Sequence, residues 1–347
     1  MADLSQFDPN SVGLLSNNVF GLPFSEEEAR LVLLPVPWEV TVSYNNGTAR
    51  GPEHIFRASF QVDLYDADVK DGWKQGFYMR EPDKHLLLRS DYLRKEAELY
   101  LKFLTEGGDI SENEFLKKTL VDVSNGTKAM NEWVYNQTKS LLEKGKLVGL
   151  VGGDHSTPLG FFKAIGEHKG EFGILQVDAH ADLRDAYEGF QYSHASIMYN
   201  ALAEVPQLSR LVQVGVRDYC EEEMDYINNS EGRVVTFFDK QIKERQYEGE
   251  SLKAICDSII ATLPQQVYIS CDIDGLDPKL CPHTGTPVAG GFEAEQVYYL
   301  FRRVLDSGRQ LIGFDLNEVS TSHDEWDANV GARVLFKLCN LLIRSNS

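Results

Sequence analysis

The sequence of 347 residues has few cysteines and no long hydrophobic run, and each absence excludes a class of protein. Its five cysteines are odd in number, scattered and without a C-x-x-C pair, so reduced thiols in a cytoplasmic protein fit best. No run approaches the roughly 20 consecutive apolar residues that a membrane-spanning helix needs. The first residues, MADLSQFDPNSVGLL, lack a basic stretch before a long apolar one, so we expect neither an export signal nor a membrane span.

Positive charge is also scarce in this chain. The 34 Lys and Arg residues stand against 53 Asp and Glu residues, which gives a net charge of −19. This balance argues against nucleic acid or an anionic membrane surface as the main partner, and it suits a small cationic substrate. With 42% hydrophobic residues, the chain can nevertheless bury the core of an ordinary globular protein.

Apolar, β-branched runs alternate along the chain with segments of helical periodicity. The runs that we interpret as strands lie at 30–37, 146–153, 171–180, 210–217, 233–238, 266–274 and 310–319. This alternation predicts an α/β fold with a mostly parallel central sheet and helices on both faces, in one domain over residues 1–347. The segment 62–122 is acidic, irregular and only locally helical, so we expect a surface elaboration that serves as a lid or an oligomer contact.

Three of the predicted strands run into carboxylates and imidazoles. GGDHS follows the second strand, DAHAD ends the third, and DIDGLDP closes the strand near residue 270. Ligands of parallel sheets bind beyond the carboxyl ends of the strands, and alternate residues of extended chain project to one side. We therefore expect six side chains to share one site: His155, Asp178, His180, Asp182, Asp272 and Asp274.

Four carboxylates and two imidazoles at one sheet edge need partners of positive charge, and a metal would supply it. Six ligands exceed what a single catalytic ion takes while it keeps a position for water, so two divalent cations fit better than one. The oxygen-rich set favours Mn²⁺ over structural zinc, with Ni, Co or Zn left open. Cys271, beside Asp272, should face the opposite way and pack in the core.

Other readings of these motifs fit less well. A calcium loop would need Gly and Glu where DAHAD is followed by Leu183 and Gly189. A two-metal phosphoesterase would need basic residues near the metals, and the motifs offer only Arg184. A non-catalytic binding or structural protein with such motifs would be expected to have lost some of the six ligand residues, and all six are present.

Taken together, the motifs resemble those of the ureohydrolase family, which includes arginase, agmatinase, guanidinobutyrase and formimidoylglutamase, and the chain looks most like agmatinase. Further matches are VGVRDY (214–219), PHTGTPVAGG (282–291) and GFDLNEVS (313–320). The resemblance implies an arginase-like three-layer fold with two Mn²⁺ per chain. It implies one metal on His155, Asp178, Asp182 and Asp272, and a second on Asp178, His180, Asp272 and Asp274.

The resemblance also implies roles in catalysis. Hydroxide held by the metals would attack the central carbon of a guanidinium or amidinium, and an amine would leave. Glu318 matches the carboxylate that pairs with the substrate cation, and His194 matches a proton-shuttling histidine. Asp182 is placed to pass a proton to the departing nitrogen, and Thr286 resembles a residue near the substrate.

The favoured reaction is hydrolysis of agmatine to putrescine and urea, as in polyamine biosynthesis. Formimidoylglutamase or guanidino-acid hydrolase activity is the alternative, followed by arginase. Arg184 bears on this choice, because arginases carry Asn at the matching position. If Arg184 points into the pocket it favours an acidic substrate, whereas an outward ion pair, which we favour, leaves agmatine as the substrate. By resemblance, the protein is expected to be a homo-oligomer, a trimer or hexamer.

Overall fold

The computed structural model of the protein describes residues 4, 5, 7–320 and 324–347. Residues 1–3 and 6, which belong to the N-terminal stretch judged to lack an export signal, lie outside the described residues. Within the described part, one sheet contains eight strands in the order β2-β1-β3-β8-β7-β4-β5-β6, and every strand pair is parallel. The strands are β1 (Leu31–Val36), β2 (Phe77–Met79), β3 (Leu147–Gly152), β4 (Phe172–Val177), β5 (Leu208–Val214), β6 (Val234–Phe237), β7 (Gln266–Asp272) and β8 (Gln310–Asn317).

Ten α-helices flank this sheet in the described part of the chain. Several begin at a side-chain cap, as where Asp83 accepts a hydrogen bond from the Leu86 amide at the start of α2. The helices are α1 (Gly51–Ser59), α2 (Lys84–Thr105), α3 (Glu114–Glu143), α4 (Leu159–Lys169), α5 (Ile197–Glu204), α6 (Glu221–Asn229), α7 (Asp239–Tyr247), α8 (Leu252–Ile260), α9 (Ala294–Asp306) and α10 (Trp326–Ser345).

The sheet separates two hydrophobic cores. Helices α1, α7, α8, α9 and α10 bury side chains on one face, whereas α2, α3, α4 and α5 bury theirs on the other. Within β3, Val151 enters the first core while Val148 and Leu150 enter the second, as the alternation of strand side chains requires. The predicted three-layer α/β fold with a parallel sheet is therefore confirmed, and Cys271 lies buried in the core as expected.

The segment 62–122 is more regular than expected. It contains the edge strand β2, the 22-residue helix α2 and the beginning of α3. Strand β2 pairs with β1 through only three residue pairs, Leu31 with Phe77 to Leu33 with Met79, which is too short for a recognisable apolar run. The short helices α1, α5 and α7 were also not predicted from the sequence. Helix α7 is strongly polar and buries only Asp239 and Ile242.

Among the described helices, none combines the length and apolar composition needed to cross a membrane. The carboxyl ends of β3, β4, β7 and β8 lie side by side in the middle of the sheet. Each of these strands is followed at once by residues that the sequence analysis assigned to the site. The parallel pairing thus brings segments more than 100 residues apart in sequence together at the edge formed by the carboxyl ends of the strands.

Candidate metal centre

His155 lies at the centre of the site, directly after β3. The chain reaches it through Gly153, where an added Cβ would lie 2.0 Å from the carbonyl oxygen of Trp38, so only glycine fits there. The buried His155 imidazole places Nδ1 3.0 Å from Asp178 Oδ2, 3.1 Å from Asp182 Oδ2 and 3.2 Å from Asp272 Oδ2. One ring nitrogen therefore faces three carboxylate oxygens.

A second cluster shares Asp178 with the first. His180 Nδ1 lies 3.5 Å from Asp178 Oδ1 and 3.1 Å from Asp274 Oδ2. Backbone amides hold these carboxylates, since Ala179 N donates to Asp274 Oδ1 at 3.0 Å and Asp274 N donates to Asp272 Oδ1 at 2.9 Å. Asp178 thus offers one oxygen to each cluster, as expected of a bridging ligand.

Asp182 reaches the site differently from the expected extended chain. Strand β4 ends at Val177, and Asp182 has a left-handed backbone with φ of 55°. The amides of Met198 and Tyr199 donate to the Asp182 carbonyl at 3.1 and 3.2 Å and hold this turn in place. Simple alternation along a strand therefore does not describe residues 178–182, although the three predicted side chains do meet.

The residues present fit a divalent cation pair. His155 Nδ1 is buried and makes no well-aligned hydrogen bond to any residue in the described part of the chain, although three carboxylate oxygens surround it. Burial is the main cause that raises the pKa of Asp182, and the negative charge of Asp178 adds to it. Burial, with the charges of Asp274 and Asp178 added, raises the pKa of Asp272 well above its usual range. Crowded buried carboxylates of this kind need a positive charge between them.

Buried hydrogen bonds behind His155 fix its ring. Nε2 lies 2.9 Å from Ser270 Oγ, which in turn donates to Asp315 Oδ1 at 3.0 Å. Asn317 Nδ2 donates to the same Asp315 oxygen at 2.5 Å. Such outer hydrogen bonds orient a metal-binding imidazole and direct its other nitrogen to the cation.

A second buried chain of hydrogen bonds ends on Asp178 and crosses three strands. Thr236 Oγ1 donates to Gln213 Oε1 at 2.8 Å, and Gln213 Nε2 donates to Gln176 Oε1 at 2.7 Å. Gln176 Nε2 then donates to Asp178 Oδ2 at 2.8 Å. These amides were not predicted from the sequence, although a glutamine inside a strand buried on both faces indicates a buried polar partner, because its amide needs one there.

Glu318 follows β8 and lies close behind His155. Its backbone is left-handed, with φ of 62°, and its amide donates to Gly153 O at 2.8 Å. Oε1 accepts the His155 amide hydrogen at 2.8 Å, whereas the buried Oε2 has no hydrogen-bond partner among the described residues. Burial, followed by the charges of Asp272 and Asp154, raises the pKa of Glu318 well above its usual range. A cation bound beside Glu318 would give Oε2 a partner and would lower the raised pKa.

A cavity of about 230 Å³ opens onto the site. Five residues from the sequence analysis line it, and Glu318 is not among the lining residues. Tyr44, Tyr187 and Tyr219 stand in its wall, together with Asp218 and Glu223, which the sequence analysis did not single out. The five expected residues are His180, Asp182, Arg184, His194 and Thr286.

His194 lines the wall of the cavity. Its Nδ1 lies 3.3 Å from Thr41 Oγ1, and its ring meets that of Tyr187 edge to face at 5.6 Å. Burial, followed by the neighbouring imidazoles of His180 and His155, lowers the pKa of His194 to about 3. The imidazole is therefore neutral at neutral pH.

Arg184 combines the two orientations that the sequence left open. It lines the cavity, contrary to the favoured outward orientation, yet its Nε also lies 4.0 Å from Glu223 Oε2. Its guanidinium lies 5.1 Å from the centre of the Tyr187 ring. The buried Glu223 in turn accepts the amide hydrogens of Leu183 at 3.0 Å and Cys220 at 2.9 Å. Arg184 is thus a paired cation in the cavity wall.

The geometry agrees with comparisons to known proteins. Residues 29–340 match the model of the arginase family. An N(1)-aminopropylagmatine ureohydrolase of Thermus thermophilus is 32% identical over 305 residues, covering 85% of this chain and 84% of that protein. An agmatinase of Neisseria meningitidis is 29% identical over 335 residues, covering 96% and 93%. An agmatine ureohydrolase structure from Thermoplasma volcanium has the same fold, with a TM-score of 0.68, 21% identity and 92% coverage of both chains.

Proposed function

Because the chain belongs to the arginase family of metal-dependent hydrolases that act on carbon–nitrogen bonds, we propose that it cleaves agmatine to putrescine and urea. The observation that carries this proposal is the pair of ligand clusters sharing Asp178 at the cavity. Relatives named for agmatine and for aminopropylagmatine support a substrate with a guanidinium at one end and an amine at the other. A net charge of −19 favours the approach of such a cation.

In this proposal, His155, Asp178, Asp182 and Asp272 would hold one Mn²⁺, and Asp178, His180, Asp272 and Asp274 the other. Ions bound there lower the pKa of water and so supply a nucleophile at neutral pH. Glu318 would bind the substrate guanidinium with the unpartnered Oε2. Asp182 would pass a proton to the leaving nitrogen, and the neutral His194 would carry protons between the site and solvent. Thr286 would contact the substrate from the cavity wall.

The test is a panel of substrates with Mn²⁺-loaded protein. Urea or formamide is measured from agmatine, N1-aminopropylagmatine, arginine, guanidinobutyrate and formimidoylglutamate, and kcat/KM is compared. We expect agmatine to have the highest kcat/KM. A preference for aminopropylagmatine would extend the amine end of the substrate, whereas a preference for arginine or for an acidic substrate would reject the assignment.

One observation favours a second candidate, a formimidoylglutamase or guanidino-acid hydrolase. Arg184 lines the cavity, where its guanidinium could meet a substrate carboxylate. Against this, Glu223 and Tyr187 already engage the guanidinium. Arg184→Ala separates the candidates. If agmatine is the substrate, its cleavage should change little. If the parent enzyme prefers an acidic substrate, the variant should lose that preference.

We further propose that the protein is a cytoplasmic enzyme of polyamine biosynthesis. It is expected to assemble as a homo-oligomer, a trimer or hexamer. Nickel, cobalt or zinc could replace Mn²⁺, since His and Asp ligands bind all of these ions. Metal analysis of the purified protein, with kcat/KM after reloading with each ion, would identify the one that it uses.

A further inference from the structure

Helix α2 has two apolar faces, and only one of them is covered. Its inner face buries Leu86, Leu93 and Tyr100, spaced seven residues apart, against the rest of the molecule. On the opposite side, Leu88, Tyr92 and Leu99 are 65%, 60% and 55% exposed. Their spacing of four and seven residues places them on one stripe of the helix, and Lys95 lies on the same stripe. We name Leu88, Tyr92, Lys95 and Leu99 the outer stripe.

The outer stripe is complementary to itself when two copies of α2 run antiparallel. A two-fold axis that passes between Tyr92 and Lys95 brings Leu88 of one copy opposite Leu99 of the other. The same axis brings the Tyr92 ring opposite the Lys95 ammonium of the other copy, a favourable cation–π arrangement. The contact between Leu88 and Leu99 occurs twice, because a two-fold axis repeats every contact.

Charges beside the outer stripe follow the same symmetry. Arg89 and Glu96 lie on one flank of it, and an antiparallel partner brings Arg89 of each copy near Glu96 of the other. Neither side chain takes part in an ion pair or a side-chain hydrogen bond within the part of the chain that the structure describes. Opposite charges at these two positions favour a second copy of α2 over an unrelated surface.

We propose that the outer stripe of α2 is a two-fold self-association face, and that its occupant is α2 of a second copy of this chain. Leu88 and Leu99, at the two ends of the stripe, are eleven positions apart, which is about 16 Å along the helix. This face specifies where two copies meet, which the expectation of a homo-oligomer alone does not.

The face has a consequence for the catalytic cavity, because the inner side of α2 supports its wall. Arg94 donates to the carbonyl oxygens of Val40, at 3.3 Å, and Val42. The Tyr100 ring packs on Phe190 at 5.1 Å between centres. These contacts hold the segments that carry Ser43 and Tyr187 into the cavity wall. Pairing of two copies through α2 would therefore stabilise the rim of the site as well.

The first experiment measures particle mass by light scattering and sedimentation equilibrium. Leu88→Glu, which places two extra carboxylates in the contact, should reduce the mass of the parent particle to half. Tyr247→Glu changes an 82% exposed tyrosine at the end of α7 and should leave the mass unchanged. Circular dichroism and thermal unfolding identify any variant that fails to fold, and Tyr92→Glu then replaces it.

The second experiment exchanges the charges. Arg89→Glu alone and Glu96→Arg alone should each weaken association, because both place like charges together, and the double variant should restore the parent mass. A monomeric parent, an unchanged mass in Leu88→Glu and Tyr92→Glu, or two weakened single variants without restoration would each overturn the proposal. All of these measurements use the mass of the full chain without substrate, so they are independent of the proposed activity.

Discussion

Two carboxylate residues of the site adopt backbone conformations that their side chains disfavour. Asp182 and Glu318 have φ angles of 55° and 62°. A non-glycine residue in the left-handed region costs on the order of 1 kcal/mol or more and persists only where its surroundings fix it. Here the fixing contacts are backbone hydrogen bonds to Met198, Tyr199 and Gly153. The strain turns both carboxylates towards His155, which the end of a regular strand would not do.

At the same scale, Asp178 differs from Asp182 in the number of clusters that it joins. Asp178→Asn should remove both divalent ions, because one oxygen of Asp178 faces each cluster. Asp182→Asn is the matched control and should remove one ion, since its carboxylate belongs to the His155 cluster. Metal content of the purified variants, measured by plasma mass spectrometry, checks this. Equal losses in the two variants would contradict a bridging role for Asp178.

Glu318 should affect the substrate and leave the metals in place. Glu318→Gln keeps an oxygen to accept the His155 amide hydrogen, a bond of 2.8 Å in the parent, and removes the negative charge. Loss of one member of a buried ion pair costs about 2 kcal/mol or more, so kcat/KM should fall by roughly 30-fold or more.

The control for this variant is its metal content, which should remain that of the parent. Because Glu318 is expected to contact the substrate both before and during the reaction, KM should rise as well as kcat fall. An unchanged kcat/KM for every substrate of the panel would remove Glu318 from the substrate site.

At the scale of elements, strands β4, β5 and β6 act together on Asp178 through Gln176, Gln213 and Thr236. Gln176→Leu removes the hydrogen bond to Asp178 Oδ2, which is 2.8 Å long in the parent, while keeping a side chain of similar size. Changes in such outer partners typically weaken metal binding by about 10 to 100-fold. We expect a loss of this size for Gln176→Leu.

Calorimetric titration of metal-free protein with Mn²⁺ measures this loss. Thr236→Val provides the graded control, because three hydrogen bonds in series separate Thr236 from Asp178 and its effect should be smaller. If both variants bound Mn²⁺ as the parent does, the chain of amides would serve only to join the strands.

Elements with strong patterns were predictable from the sequence, and those with weak patterns were not. Strands such as β1 and β7 are buried along almost their whole length, so each appears as a continuous apolar run. Strand β2 has three residues, and helix α7 has a single buried apolar side chain, Ile242, so neither has a usable period. These elements depend on contacts with the rest of the fold, which a local pattern does not contain.

The site was predictable as far as its ligands stand in short motifs. His155, Asp178 and Asp274 lie in recognisable segments, and the structure brings them together. Gln176 and Gln213 were missed because their hydrogen bond joins residues 37 positions apart. The direction of Arg184 was equally inaccessible, since it depends on Glu223 and on the Tyr187 ring.

At the scale of the whole molecule, the site makes the stability of the metal-free protein depend on pH. Burial would lower the pKa values of His155 and His180, but the surrounding carboxylates raise both well above the usual range. Burial and neighbouring charge likewise raise the pKa values of Asp272 and Glu318. Without cations, the folded protein therefore binds more protons at these groups than the unfolded chain does. Stability from such groups is lost as pH rises.

Cations reverse this dependence, because metal ligands must be deprotonated and binding releases their protons. The histidines stabilise the metal-free fold fully below about pH 6.5, their unfolded pKa, and this contribution falls as pH rises through the raised folded values. The raised carboxyl pKa values act in the same direction above about pH 4. We therefore expect the increase in Tm caused by saturating Mn²⁺ to be larger at about pH 8 than at about pH 6.

Differential scanning calorimetry of metal-free and Mn²⁺-loaded protein at both pH values measures this difference. Asp178→Asn is the control, because a variant that cannot hold the ions should show little increase in Tm at either pH. Calorimetric titration in buffers of different ionisation enthalpy should in addition record proton release on Mn²⁺ binding at about pH 7. A Tm increase that is equal or smaller at the higher pH, or metal binding without proton release, would mean that the imidazoles do not hold the ions.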